Sequence, residues 1–485
     1  MTTISRCYRW VTPMLFMLIF VACEEDSIDD RPSTLSLDLP SQVSGWFNEP
    51  ISLNASASRD AAGLPISYHW EVVSFPGDHF DPKSLDQDRT AIAKFTPMNV
   101  GEFVFEVTAS TEFEQQKGRI RVIVDAETII IRSNRIGVVE QWRKTTPEGI
   151  PDYRVEGPIS LNDTEITVEE GVVIEMAENA SLTVNTGSFF HAVGTEDEPI
   201  TIRGTEQTRG YWSSLRFASG SSNNRLVHVH LSDGGRNRNN DRGMVTFAAN
   251  ARLHIEACRL SNAQNSALEL GVVTSRSGLQ ITHLKNDYKN NERSVYTSAS
   301  YYHVLDGESD YTGNDIDAIV AIQSGINLTQ GSLTWQKLNV PYRTGQITVT
   351  TELTLSPGVH LQFGPNTAML VSGNGTLTAE GTSDEPIRIE GVESRPEEWR
   401  GIYFRSENSN LLQHIEIRGA GSSGLTSGAP RASILLRGGK LAIDNATFID
   451  GGNNYAIAYF VSRPDLNMGE NISVVNMPEP FTNID

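Results

Sequence analysis

Cysteine is almost missing from this chain, with three in 485 residues, at Cys7, Cys23 and Cys258. None has the spacing of a thiolate metal site or a dithiol redox centre, so both are excluded. Positive charge is also in deficit. Sixty acidic residues against 39 basic ones give a formal net charge of −21. An acidic surface repels phosphate backbones, so nucleic acid is not an expected partner. Long apolar runs are few. Outside residues 11–22 no stretch approaches the roughly 20 residues needed to cross a bilayer as a helix. Metalloprotease H-E-x-x-H, nucleophile-elbow and phosphate-binding glycine-loop motifs are absent. Long helical periodicities are scarce, and so are the Asn-Gly pairs that make tight hairpins.

What is present is glycine, 40 residues of it, and an apolar content of 38%, enough to fill a core. Many glycines with short alternating runs favour short strands and frequent turns. One stretch occurs twice. ITVEEGVVIEMAENASLTVNTGSFFHAVGTEDEPITIRG, residues 166–204, aligns without a gap to LTLSPGVHLQFGPNTAMLVSGNGTLTAEGTSDEPIRIEG, residues 353–391, at an offset of 187. The correspondence extends over residues 153–235 and 342–421, through Trp212 and Trp399 to LVHVHLSDGG and LLQHIEIRGAG. A shorter period shows in the middle. Tyr288 and Asn291 recur as Tyr311 and Asn314, 23 residues on. Strands so closely spaced, without hairpin signals, fit a coil of parallel strands in which each turn pairs with the next. In that arrangement Asn291 and Asn314 stack at one corner.

The N-terminus reads as a targeting segment. Arg6 and Arg9 precede the apolar residues 11–22, and Ala22 precedes Cys23. This resembles the lipobox of bacterial lipoproteins, although Phe20 stands where leucine is usual. The resemblance implies that residues 1–22 are a signal peptide and that Cys23 is lipidated. The acidic tether, residues 23–34, resembles the surface-export signal of Bacteroidota lipoproteins. The implied location is the outer membrane, exposed at the cell surface. Cys258 is then alone, a buried apolar residue.

Residues 35–126 read as several short strands with turn signals between them, as in a β-sandwich. NASASRD, YHW with Trp70 as the core residue, and FTPMNVGEFVFEVTAS resemble PKD-type Ig-like domains, which serve as spacers or weak binding modules. Residues 127–152 read as a joining or capping segment, with Trp142 and Tyr153 resembling Trp335 and Tyr342. Residues 153–480 resemble the right-handed parallel β-helix of bacterial surface proteins, in GTEDEPI and GTSDEPI, the following tryptophan and the VHVHLSDGG-like strand.

Candidate chemistry is thin. The Asp197/Glu198 and Asp384/Glu385 pairs recur at one repeat position, which marks a structural corner over a single catalytic site. If Val227, Val229 and Leu231 face inward, then His228 and His230 face outward together and are candidate ligand-binding residues; His414 repeats the first. His254 and His283 are similar single histidines. Residues 306–317 place Asp306, Glu308, Asp310 and Asp317 at spacings that echo a calcium loop, but Tyr311 stands where glycine makes the sharp turn, and the coil period already accounts for this stretch. Calcium is the one cofactor suggested. Trp212 and Trp399, each followed by alternating apolar residues, read as packing under a turn, not as sugar platforms.

The sequence names no reaction. It describes an all-β protein, an N-terminal Ig-like (PKD-type) β-sandwich followed by a right-handed parallel β-helix. The expected function is non-catalytic binding of glycan or another extracellular macromolecule on the β-helix face. The alternatives are a β-helix polysaccharide lyase or glycoside hydrolase, and a structural component of a surface assembly. The expected partners are the outer membrane, through the lipid, and a glycan or surface protein.

Overall fold

The computed structural model describes residues 34–484 except 78, 237–241, 249, 271–279, 322–323, 461–464 and 478. The signal peptide, the lipidation at Cys23 and the acidic tether up to residue 33 that the sequence leads one to expect lie outside the described residues, as does Cys7. The chain divides into two compact units, with the main boundary between Ile123 and Val124.

The N-terminal unit is built from short strands. One sheet orders Gln42–Trp46, Gln115–Asp125, Gly101–Ser110 and Ser67–Ser74; a second orders Ile51–Asn54, Ile92–Phe95 and Leu85–Asp86. Phe103, Phe105 and Val107 alternate inward on one strand, as do Ile120 and Val122 on another, and all are buried. The Phe95 ring meets Phe105 at 4.7 Å and Phe103 at 4.8 Å, so both sheets contribute to one apolar cluster. Trp70 is buried, and its indole N–H donates to the Thr90 carbonyl at 3.0 Å.

The second unit is a parallel β-solenoid of about twelve turns. Its logic is stacking: side chains at one register position form a row along the axis. One inward row runs Tyr153, Ile174, Ile202, Leu231, Leu260, Tyr288. Its counterpart runs Tyr342, Leu361, Ile389, Ile417, Phe448, Val474. Burying each such aliphatic side chain is worth roughly 1.5–3 kcal/mol, and members inside a row are packed from both sides. The two repeat copies belong to one solenoid. Strand Ile319–Ala321 pairs with Arg293–Thr297 on one side and with Tyr342–Thr344 on the other, so one sheet of 18 strands runs through both.

Residues 127–152, expected as a joining or capping segment, hold the first coil described. Strands Ile129–Ile131, Arg135–Ile136 and Val139–Trp142 pair in parallel with the three strands that follow, making a coil of their own. Trp142 stacks on Tyr153 at 4.8 Å, and Trp335 lies 5.8 Å from Tyr342, the aromatic start common to both copies. The coil length varies. It is 19 residues between Tyr342 and Leu361 and 31 between Ile417 and Phe448. Pairing fixes the strands and leaves the loops between them free to vary, so the 23-residue spacing holds only locally.

Locally it holds well. Tyr288 and Tyr311 stack at 5.5 Å and 7°. Ile200 and Ile387 are fully buried, as are Trp212 and Trp399, whose indole N–H groups donate to the Ser232 and Arg418 carbonyls at 2.7 and 2.8 Å. The repeated acidic corner matches bond for bond. Thr195 Oγ1 accepts from Glu198 N, and Thr382 Oγ1 from Glu385 N, both at 3.0 Å. Gly171 N donates to the Glu198 carbonyl, and Gly358 N to that of Glu385. A Cβ on Gly194 would come within 2.9 Å of backbone at His228 and Ile200, and one on Gly381 within 2.5 Å of the His414 carbonyl, so glycine is required at both corners.

Candidate functional site

Among the described residues, one interruption of the solenoid wall opens to solvent. Strands Arg225–Val227, Arg252–Glu256 and Gln280–Leu284 stack in parallel. In the next coil a 3-10 helix, Ala299–Val304, stands between Gln280–Leu284 and Ser332–Trp335. The Ser298 hydroxyl caps it by accepting from Ser300 N. The segment ASYYHV lacks the strand alternation, and its two tyrosines are adjacent, which suits a helix. Both are buried. Tyr302 packs edge-on to Trp335 at 5.0 Å and donates to the Arg343 carbonyl at 2.9 Å. A narrow helix in place of a strand leaves an open groove of about 830 Å³, whose lining includes Arg225, Arg252, His254, Thr282, His303 and Asp306.

Register places the groove's side chains in rows. Arg225, His254 and Thr282 lie on consecutive coils at one outward position, and His191 precedes them. His254 Nε2 is 2.7 Å from Glu256 Oε2. The Arg225 Nε atom is buried with no hydrogen-bond acceptor among the described residues. Arg252 donates to the side-chain oxygen of Gln280.

Behind this wall lies a polar cluster. His283 occupies the inward row below Ile255, and its side chain has no exposed surface. It is therefore not the outward single histidine expected from the sequence. Its ring lies parallel to Tyr288 at 5.9 Å and to Tyr311 at 6.0 Å. Nδ1 is 2.6 Å from Asp306 Oδ2, and Nε2 is 2.7 Å from the Tyr288 hydroxyl. The carboxylate only accepts, so Nδ1 carries a proton. Burial raises the Tyr288 pKa far above its ordinary value, so the phenol keeps its proton and in the neutral ring Nε2 accepts it. Burial alone would raise the Asp306 pKa, but hydrogen bonds from His283 and Ser309 outweigh it and bring the value down to about 2. His283 and Tyr288 are buried and Asp306 comes only partly to the surface, so this Asp–His–Tyr chain braces the groove's back wall.

The other sequence candidates scatter. Asp306 Oδ1 accepts from Glu308 N and Ser309 N; Asp310 pairs with Lys289 and accepts from Thr312 and Asn339; Asp317 accepts from Asn314 N; Glu308 lies 3.4 Å from Lys285. These four carboxylates do not converge, and among the described residues no three His, Cys, Asp or Glu side chains gather as a metal site. This stretch lies at a corner of the coil, where Asp310 bridges to Asp287 of the preceding coil.

His228 and His230 do not form a pair on one strand face. His228 stands at a corner between strands Arg225–Val227 and Val229–Ser232, with a left-handed φ of 48°. That break shifts the alternation, so Leu226 and Val229 point in and Val227 does not. His414 repeats the corner at 47°, and Ala257, Lys285 and Asn445 hold it in neighbouring coils. His230 is exposed; partial desolvation, then Arg259 and His228, lower its pKa. Cys258 is buried and unpaired.

Sequence reasoning did not single out Arg225, Arg252 or His303. Each is an ordinary outward residue on its own. The signal available was the non-alternating ASYYHV in the midst of strand patterns.

Comparison with known proteins adds little. No protein-family profile matches the chain, and no curated protein does. Among solved structures, a PKD domain is 24% identical over 19% of this chain and 87% of its own, with a TM-score of 0.16. A nucleoside hydrolase-related hypothetical protein from Saccharophagus degradans, associated with carbohydrate metabolism, is 21% identical over 17% of this chain and 22% of its own. A putative α-galactosidase from Bacteroides fragilis is 10% identical over 53% of this chain and 46% of its own. The TM-score is 0.16 for these two as well, too low to show a shared overall fold.

Proposed function

We propose that this is a lipid-anchored cell-surface protein that binds glycan without transforming it. In this reading a PKD-type module serves as spacer and a right-handed β-helix carries the binding groove. The observation that supports it is the groove beside the 3-10 helix, open to solvent and lined with hydrogen-bonding side chains. The anchor rests on residues 11–22 ending at Ala22 and Cys23. A glycan array probed with the full chain tests the binding. Thr282→Trp, an outward position in the groove, should abolish the signals while leaving the melting temperature unchanged. Signals that persist in that variant, or no glycan bound at all, would refute the reading. Cys23→Ser should move the protein out of the membrane fraction.

A second reading, a polysaccharide lyase, has one specific support: His254 and His303 share the groove with two arginines. In β-elimination a base removes the proton on the carbon beside a uronate carboxylate. The C–O bond at the next ring carbon breaks, a C=C bond forms between the two carbons, and the leaving oxygen takes a proton. Ultraviolet absorbance of an unsaturated product, lost in His254→Ala or His303→Ala, would favour this reading over binding alone.

A further inference from the structure

The charge of the groove runs against the charge of the chain. The chain carries −21, and many of its arginines are held by acids. Arg154 and Arg203 share Glu175, Arg209 meets Asp315, and Arg418 meets Asp450. Arg225 and Arg252 differ. Neither has a carboxylate within ion-pair distance among the described residues. Arg252 rests on the neutral amide of Gln280, and Arg225 keeps a buried Nε with no acceptor. The one acid among the described lining residues, Asp306, is committed to His283 and to backbone N–H groups. Glu256, beside the groove, is engaged by His254.

The row geometry adds a direction. His191, Arg225 and His254 are register partners on consecutive strands, and neighbouring strands lie about 4.8 Å apart. A polymer laid along the solenoid axis in the groove therefore meets Arg225 and His254 on successive coils, with His191 next in the same row. Among the described residues the lining has no Trp, Tyr or Phe on which the apolar face of a neutral sugar would stack. What it offers is planar guanidinium forks, which match carboxylate and sulfate oxygens bidentately.

We infer that the ligand is an acidic polysaccharide, bearing carboxylate or sulfate groups, which lies along the axis with its anions on Arg225 and Arg252. This rests on the groove being the glycan site. Affinity electrophoresis of the full chain in gels containing polygalacturonate, dextran sulfate or neutral dextran tests it, with single-stranded DNA as a fourth arm. Retardation by polygalacturonate or dextran sulfate is expected, weakening as salt rises, and the preferred polymer identifies carboxylate or sulfate as the anion. The double variant Arg225→Gln/Arg252→Gln should lose at least tenfold in affinity with its melting temperature unchanged, and Arg252→Glu should lose more. Retardation by dextran alone would overturn the acidic ligand and leave the glycan reading standing. Acidic polymers held equally by the double variant would overturn this groove as their site. DNA held as tightly as the acidic glycans would overturn the polysaccharide assignment. Failure with all three glycans would overturn the inference and remove the support of the underlying reading together.

Discussion

Asn291 donates its side-chain amide to Asn314 Oδ1 at 2.9 Å, one coil further along the axis. The same amide reaches the Leu260 carbonyl at 3.0 Å, and its Oδ1 accepts from Ala263 N at 2.9 Å. One fully buried side chain thus satisfies backbone groups of the preceding coil and ties them to the next. Asn291→Ala leaves the buried Ala263 N–H without its acceptor, at about 1–3 kcal/mol, and takes one donor from the Leu260 carbonyl. We expect a lower urea midpoint for Asn291→Ala, and a larger loss for Asn291→Asp at neutral pH, where the new carboxylate cannot donate. An Asp variant as stable as the parent would contradict the donor role.

This corner was legible in the sequence because it repeats with its tyrosine: Tyr288 and Asn291 return as Tyr311 and Asn314. The solenoid was legible for the same reason, since stacking demands that apolar positions recur. The errors arose where a local backbone choice outranked the pattern. At His228 a left-handed residue breaks the strand and resets the alternation. At His283 a polar ring takes an inward position because Asp306 and Tyr288 satisfy both its nitrogens. The groove depends on a helix replacing a strand, and its arginines come from different coils. Nothing in one sequence brings them together.

The assignment of faces has a sharp test in strand Ile200–Gly204 and its neighbour. Ile200 is fully buried and pairs in register with Val229. Ile200→Asp would bury an unpaired carboxylate, which costs several kcal/mol and exceeds the loss of an apolar contact. Damage should spread to adjacent coils, because each coil covers its neighbour. His230→Asp, at an exposed position, should change stability by no more than about 0.5 kcal/mol. Equal drops in melting temperature for the two variants would reverse the faces.

Cys258 is enclosed between the Leu226 and Glu256 carbonyls, each 3.3 Å from its sulfur. Burial pushes the thiol pKa up to about 12. The thiolate is the reactive form, so the native protein should react with a thiol reagent only as it unfolds. The expected record is negligible labelling in buffer and rapid stoichiometric labelling in denaturant. Immediate labelling of the native chain would show an open path to the sulfur.

Asp306 gives the solenoid an acid limit. Its carboxylate sits near pKa 2 in the folded chain against an ordinary 3.8, despite burial, because His283 and Ser309 donate to it. A group whose folded pKa is depressed contributes stability that is fully present above the unfolded value and is lost as pH falls through the folded one. The window is therefore about pH 4 down to about pH 2. Against the effect of burial, Lys289 and Thr312 also hold the Asp310 carboxyl below its ordinary value, so the parent's acid transition alone does not isolate Asp306. The comparison with Asp306→Asn does. The amide keeps the shape but loses the charge and one acceptor, so the variant should be less stable at pH 7. The gap between variant and parent should then narrow steadily from pH 4 to pH 2, as the parent loses what the variant never had. A gap that stayed constant over that window would show that the His283–Asp306 contact holds its place by packing and not by charge.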